Sequence, residues 1–131
     1  IESSIKVKDL PKIWNDKYKE YLGIKVPSDS MGVLQDIHWS HGSFGYFPTY
    51  TIGSLYAAQF FNQALFENEK LYMEISSGKN DNLLKWLREK IHMHGKKYSA
   101  QELCRKVTGE KLNFKFFKEY AINKYSSIYD L

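Results

Sequence analysis

From Tyr50 to Phe66 apolar side chains fall on nearly every face of a helical wheel: Ile52, Leu55, Tyr56, Ala57, Ala58, Phe60, Phe61, Ala64, Leu65 and Phe66. A helix without a clean polar face has to be covered on most sides. Pro48 disfavours helix at Phe47 but suits a helix start, which places the first residue near Thr49. In a chain of 131 residues little material is left to surround such a helix, so its partners are expected to be incomplete. The chain opens Ile1-Glu2-Ser3-Ser4 with no initiator Met, a stretch that reads as helix or linker, and a piece of something larger is expected.

The remaining segments also carry helical spacing. Asp9 as N-cap, Pro11 in the first turn, and Leu10, Ile13, Trp14, Lys17, Tyr21 and Leu22 predict a helix from Leu10 to Leu22, stopped by Gly23. Packing is the expected role of Trp14 and Tyr21. Pro27 and the run Ser28-Asp29-Ser30 mark a connector. After the apolar helix, Leu71 to Ser76 predicts a short helix ended by Gly78. Asn80 or Asp81 then caps a helix with Leu83, Leu84, Leu87 and Ile91 on one face, plus Trp86. Ser99 and Glu102 have the spacing of a capping box, with Gly109 closing the helix they start. Asn113 is placed to cap a last helix carrying Phe117, Tyr120, Ala121, Lys124, Tyr125 and Ile128 on one side. No run has strand period and no repeat is present, so the fold class is all-α, a single helical region over 1–131.

Composition narrows the partners. A 43% hydrophobic share supports one core, and ten Tyr with eight Phe make large rings its main content. The net charge of +4 comes from Lys spread along the chain instead of a stripe, which reads as a solvated surface and gives no expectation of nucleic acid. Cys104 stands alone, so no disulfide framework is expected, and a reducing cytoplasmic location follows. No signal peptide precedes Lys6 and no apolar run reaches the length of a membrane span.

The chemistry-bearing residues concentrate between Gly32 and Tyr56, in GVLQDIHWSHGSFGYFPTYTIGSLY. Gln35, Asp36, His38, His41, Tyr46 and Tyr50 lie in a Gly-broken loop that leads into the apolar helix, a pattern of a shaped site more than of a solvent loop. His38 and His41 are three apart, but Gly42 and Gly45 argue against a regular helix and no Cys or third His stands at ligand spacing, so neither is assigned a metal. Asp36, two residues before His38, can orient or charge the imidazole, and such a His, like a nearby Tyr hydroxyl, can hydrogen-bond an anionic transition state. Spacing alone favours the plainer alternative, a polar network that braces the loop. The basic end Arg88, His92, His94, Lys96 and Lys97 reads as a solvated helix terminus.

The block GVLQDIHWSHGSFGYFPTYTIG resembles the signature near the C-terminus of the carboxypeptidase Taq family of zinc metallocarboxypeptidases. DLPKIWNDKYKEYLGI before it, and LLKWLREKIHMHGKKYSAQEL and VTGEKLNFKFFKEYAINKYSSIYDL after it, resemble that family's C-terminal portion in order and spacing. The resemblance implies a larger helical metallopeptidase with a deep groove, in which a zinc ion held by an HExxH helix and a further Glu removes C-terminal amino acids from peptides. This sequence contains no HExxH. It is therefore expected to be the C-terminal part, inactive and binding no zinc by itself, with the peptide substrate, the N-terminal zinc-bearing part and a second subunit as partners.

In the family the GxxQDxHW motif, here Gly32, Gln35, Asp36, His38 and Trp39, sits at the closed end of the groove. The resemblance implies that Gln35 and His38 donate hydrogen bonds to a terminal carboxylate or oxyanion, that Trp39 walls the pocket and that Asp36 orients His38 or an Arg from the absent part. A more distant similarity to helical peptidases of the angiotensin-converting-enzyme kind adds Tyr46 or Tyr50 as an oxyanion donor beside His38. The alternative is a non-catalytic helical module that binds protein or nucleic acid.

Overall fold

Every regular element in the computed structural model is helical, and there is no strand among the residues it describes, 5–130. The opening Ile1–Ser4 stretch, read above as helix or linker, lies outside those residues. The backbone groups into two compact units that divide between Pro48 and Thr49. No composition change marks that boundary.

The first unit holds α1, Leu10–Leu22, and a series of 3₁₀ turns at Val7–Asp9, Asp29–Met31, Val33–Gln35 and Ile37–His41. Helix α1 spans the predicted residues, with Pro11 in its first turn, and Gly23 ends it at φ +68°, its N–H donating to the Lys19 carbonyl. One detail differs. Asp9 makes no side-chain cap, because the preceding 3₁₀ turn runs directly into α1 and holds Asp9 at helical φ −93°, ψ −9° instead of the extended conformation a capping carboxylate needs.

The second unit is built on α2, Pro48–Glu67, followed by α3, Leu71–Ser76, α4, Asp81–Lys90, α5, Ala100–Thr108, and α6, Lys115–Tyr129. The capping box forms at the start of α5: Ser99 Oγ accepts from the Glu102 N–H, and a Glu102 carboxylate oxygen accepts from the Ser99 N–H at 2.8 Å. Ahead of α6, Asn113 Oδ1 accepts from the Lys115 N–H at 3.0 Å, and Phe114 takes the N-cap position itself. The core gathers Ala64, Leu71 and Trp86, with Phe60, Leu83, Leu87 and Ile91 against them. Burying each large side chain of this kind contributes about 1.5–3 kcal/mol. Leu84, expected on the buried face of α4, stands at its edge and is 40% exposed.

Two polar side chains tie α2 to the later helices. Gln59, only 1% exposed, donates through Nε2 to Thr108 Oγ1 and to the Lys111 carbonyl, and accepts at Oε1 from the Asn113 N–H. Glu67 accepts from Trp86 Nε1 at 2.8 Å and from Gln63 Nε2 at 3.0 Å, with Lys90 Nζ 3.2 Å away. Burial opposes ionisation of Glu67, but the hydrogen bonds from Gln63, Trp86 and Lys90 outweigh it and hold the carboxyl below its ordinary range. A depressed pKa stabilises the fold above the unfolded-state value, about 4.3, and that contribution is lost as pH falls through the folded-state value.

The apolar faces of α2 are only partly covered by this chain: Ile52 and Tyr50 are exposed, and Phe66 is 81% exposed. Few helices are at hand to pack on a stretch that is apolar all round. Residues 1–131 alone are expected to bind a hydrophobic dye and to self-associate, which sedimentation would register; a compact monomer that leaves the dye dark would contradict it. Glu67→Gln is expected to cost about 1–2 kcal/mol at neutral pH, a difference that narrows below about pH 4.3 in acid titrations of thermal stability.

Candidate functional site: the Asp36–His38 loop

The loop after α1 is set by a close backbone approach at Gly32. A Cβ there would stand 2.6 Å from Val26 Cγ1, 3.1 Å from the Ser28 carbonyl and 3.3 Å from Asn15 Oδ1, so only glycine fits. Val33, the next residue, is buried, and the two short 3₁₀ turns that follow bring Asp36 to 7% exposure.

Asp36 makes two contacts with one residue. Its Oδ1 accepts from the His38 backbone N–H at 3.1 Å, capping the Ile37–His41 turn, and lies 2.8 Å from His38 Nδ1. The first contact braces the loop and the second orients the imidazole, so the two readings of this pair describe a single arrangement. With Asp36 at Nδ1, the ring's other hydrogen-bonding atom is Nε2. Around the His38 ring stand Tyr46 at 4.9 Å between centroids, Phe47 at 5.3 Å and His41 at 5.9 Å, the last two edge-on.

The other expected site residues sort differently. Trp39 turns to α1, meeting Trp14 edge-on at 6.4 Å, and to Phe44 at 6.0 Å. On that side an open apolar groove of about 420 Å³ is lined by Trp39, Val33, Trp14, Tyr18 and Ile13, among others. Gln35 is exposed and its Nε2 donates to the Ser30 carbonyl. Tyr50 lies in the first turn of α2, in the second unit. Thus the first unit gathers Asp36, His38 and Tyr46. Sequence reasoning did not single out Phe47 or Asn15. Their signals were present only indirectly, Phe47 as a ring one position after Tyr46 and Asn15 as the helix residue facing the obligatory Gly32.

Comparison with known proteins gives this loop its context. A family profile described as carboxypeptidase Taq (M32) metallopeptidase matches residues 1–125. The chain belongs to that family. It is 41% identical to carboxypeptidase 1 of Bacillus subtilis (strain 168) over 127 residues, covering 97% of this chain and 25% of that protein. Among solved structures, "The Structure of CHT" shares 56% identity at a TM-score of 0.90, over 95% of this chain and 25% of its own. The M32 carboxypeptidase from Deinococcus radiodurans R1 shares 35% identity at a TM-score of 0.90, over 97% of this chain and 26% of its own. The chain therefore spans about a quarter of the length of the M32 relatives it matches, in line with the resemblance to one portion of a longer helical metallopeptidase.

Membership in a metallopeptidase family implies a divalent metal. Among the described residues no three His, Cys, Asp or Glu side chains are grouped to hold one. In this loop the Asp36 carboxylate is engaged at His38 Nδ1 and His41 stands 5.9 Å from His38 between ring centroids, so the three do not converge as one ligand set. No helix among the described residues is long and apolar enough to cross a membrane.

Gly32→Ala is expected to destabilise the protein by about 1–3 kcal/mol, because Val26 and the Ser28 carbonyl must move to admit the methyl group. A lowered melting temperature in circular dichroism would register it; an unchanged one would show that the approach at Gly32 relaxes freely.

Proposed function

We propose that this chain is the part of a zinc metallocarboxypeptidase that forms the closed end of the substrate groove and supplies hydrogen bonds to the reacting carbonyl. In this reading the intact enzyme releases C-terminal amino acids from peptides, and its metal is held by residues beyond these 131. The observation that carries the proposal is the 2.8 Å contact of Asp36 with His38 Nδ1, with the Tyr46 ring against the same imidazole.

Attack on a peptide carbonyl concentrates negative charge on its oxygen, and a preorganised donor lowers the energy of that state more than that of the substrate. His38 can donate from Nε2 once the ring carries both protons, and the Asp36 carboxylate then supplies the counter-charge beside Nδ1. Because Asp36 also holds the His38 backbone, little reorganisation is required when charge develops. Tyr46, whose ring stands 4.9 Å from that of His38, and Tyr50 are the two candidates for the accompanying phenol. Gln35 and Trp39 are assigned to the pocket that limits the substrate to its last residues, and Tyr50 to the start of α2. The remaining part of the same protein is the obligatory partner, and a homodimer and a cytoplasmic setting complete the proposal.

In the full-length enzyme His38→Ala is expected to lower kcat by about 10²–10³-fold with a smaller change in KM, the pattern of a donor used mainly in the transition state. Asp36→Asn should act in the same direction through a misoriented ring. Wild-type turnover in His38→Ala would remove this residue from the mechanism.

A further inference from the structure

His41 is the one titratable side chain of the loop that the reading above leaves without a task. It is exposed, it ends the 3₁₀ turn Ile37–His41, and Gly42 in the left-handed conformation at φ +83° follows it. No described residue hydrogen-bonds its ring nitrogens, and its contact is the edge-on approach to His38 at 5.9 Å between centroids. The carboxylate nearest in sequence, Asp36, is hydrogen-bonded to His38. The loop thus presents two imidazoles edge to face, one pinned by an acid and the other with ring N–H capacity open to a ligand.

A peptide presents two acceptors at its C-terminal end: the carbonyl of the last bond and the terminal carboxylate, one residue apart. Successive residues are about 3.8 Å apart along the chain, a spacing that two rings 5.9 Å apart can bracket once each hydrogen bond adds its own length. We infer that His41 is a specificity-determining residue that hydrogen-bonds the free α-carboxylate of the substrate while His38 faces the scissile carbonyl. This rests on the carboxypeptidase reading. A carboxylate is bound equally in ground and transition states, so the contact contributes to affinity and to the choice of free C-termini, not to the chemical step.

The test uses the full-length enzyme and two ligands: a tripeptide acid whose last bond is reduced to a non-cleavable methyleneamine, and its C-terminal amide. His41→Ala is expected to weaken the acid about tenfold, the loss of one hydrogen bond to a charged group, and to leave the amide unchanged. With cleavable peptides KM should rise by a similar factor at nearly constant kcat. His41→Gln, which keeps an N–H donor, should restore much of the preference for the acid. Equal weakening of acid and amide, or a fall in kcat at unchanged KM, would overturn the assignment. A loss confined to peptides ending in Glu, with those ending in Gln unaffected, would also overturn it by pointing to a side-chain carboxylate. The binding arm does not depend on turnover, so a failure of the His38 role and a failure of this inference give different results.

Discussion

The second unit depends on a helix whose surface is almost uniformly apolar, and apolar contact is indifferent to rotation. What gives α2 a definite orientation among its neighbours is the pair of polar side chains set into it. Gln59 uses both amide hydrogens and its carbonyl on the end of α5 and the connector to α6, and Glu67 gathers the Trp86 indole, Gln63 and Lys90. A buried amide such as Gln59 tolerates only positions where its partners are met, since an unmet hydrogen bond costs about 1–3 kcal/mol; Glu67, at the exposed end of α2, adds its three partners there. Packing of Ala64, Leu71 and Trp86 supplies attraction; these two residues supply direction.

The first unit solves a similar problem on a smaller scale. Its loop has short 3₁₀ turns in place of long helices, so few backbone bonds hold it. Asp36 compensates by joining main chain and side chain of the same residue, and the glycine at position 32 lets the loop approach Val26 and Asn15 closely. An imidazole held in this way is preorganised, which is the property a donor to a transient charge requires. Family membership sets this imidazole within a metallopeptidase, and Tyr46, Phe47 and His41 surround its ring.

Much of the helical framework could be read from spacing. The limits of α1, the capping box at Ser99 and Glu102 and the closing role of Gly23 and Gly109 all depend on side chains a few residues apart, where sequence distance and spatial distance nearly coincide. Asp9 failed as a cap because the chain before it was already helical, a fact about backbone angles that residue type does not carry. Leu84 failed as a core residue because Trp86 takes the centre of the α4 face and shifts the buried arc away from it. The Asp36 and His38 pairing was legible as one of two possibilities, bracing or orientation, and the geometry combined them.

By itself the sequence determined the all-helical class, the punctuation of the helices and the segment in which chemistry concentrates, because periodicity, caps and motif spacing are local. Only the tertiary structure decided that Gln59, one polar residue in an apolar run, would be buried with both ends of its amide hydrogen-bonded. It likewise decided that Tyr46 and His41 would stand against the His38 ring while Trp39 turned to α1. Gln59 finds its partners 49 and more residues away along the chain, and within the loop the direction of each ring follows from turn geometry that spacing does not encode. The division has one physical cause: local order follows from neighbouring residues, whereas orientation follows from which distant or angular constraints the folded chain can satisfy at once.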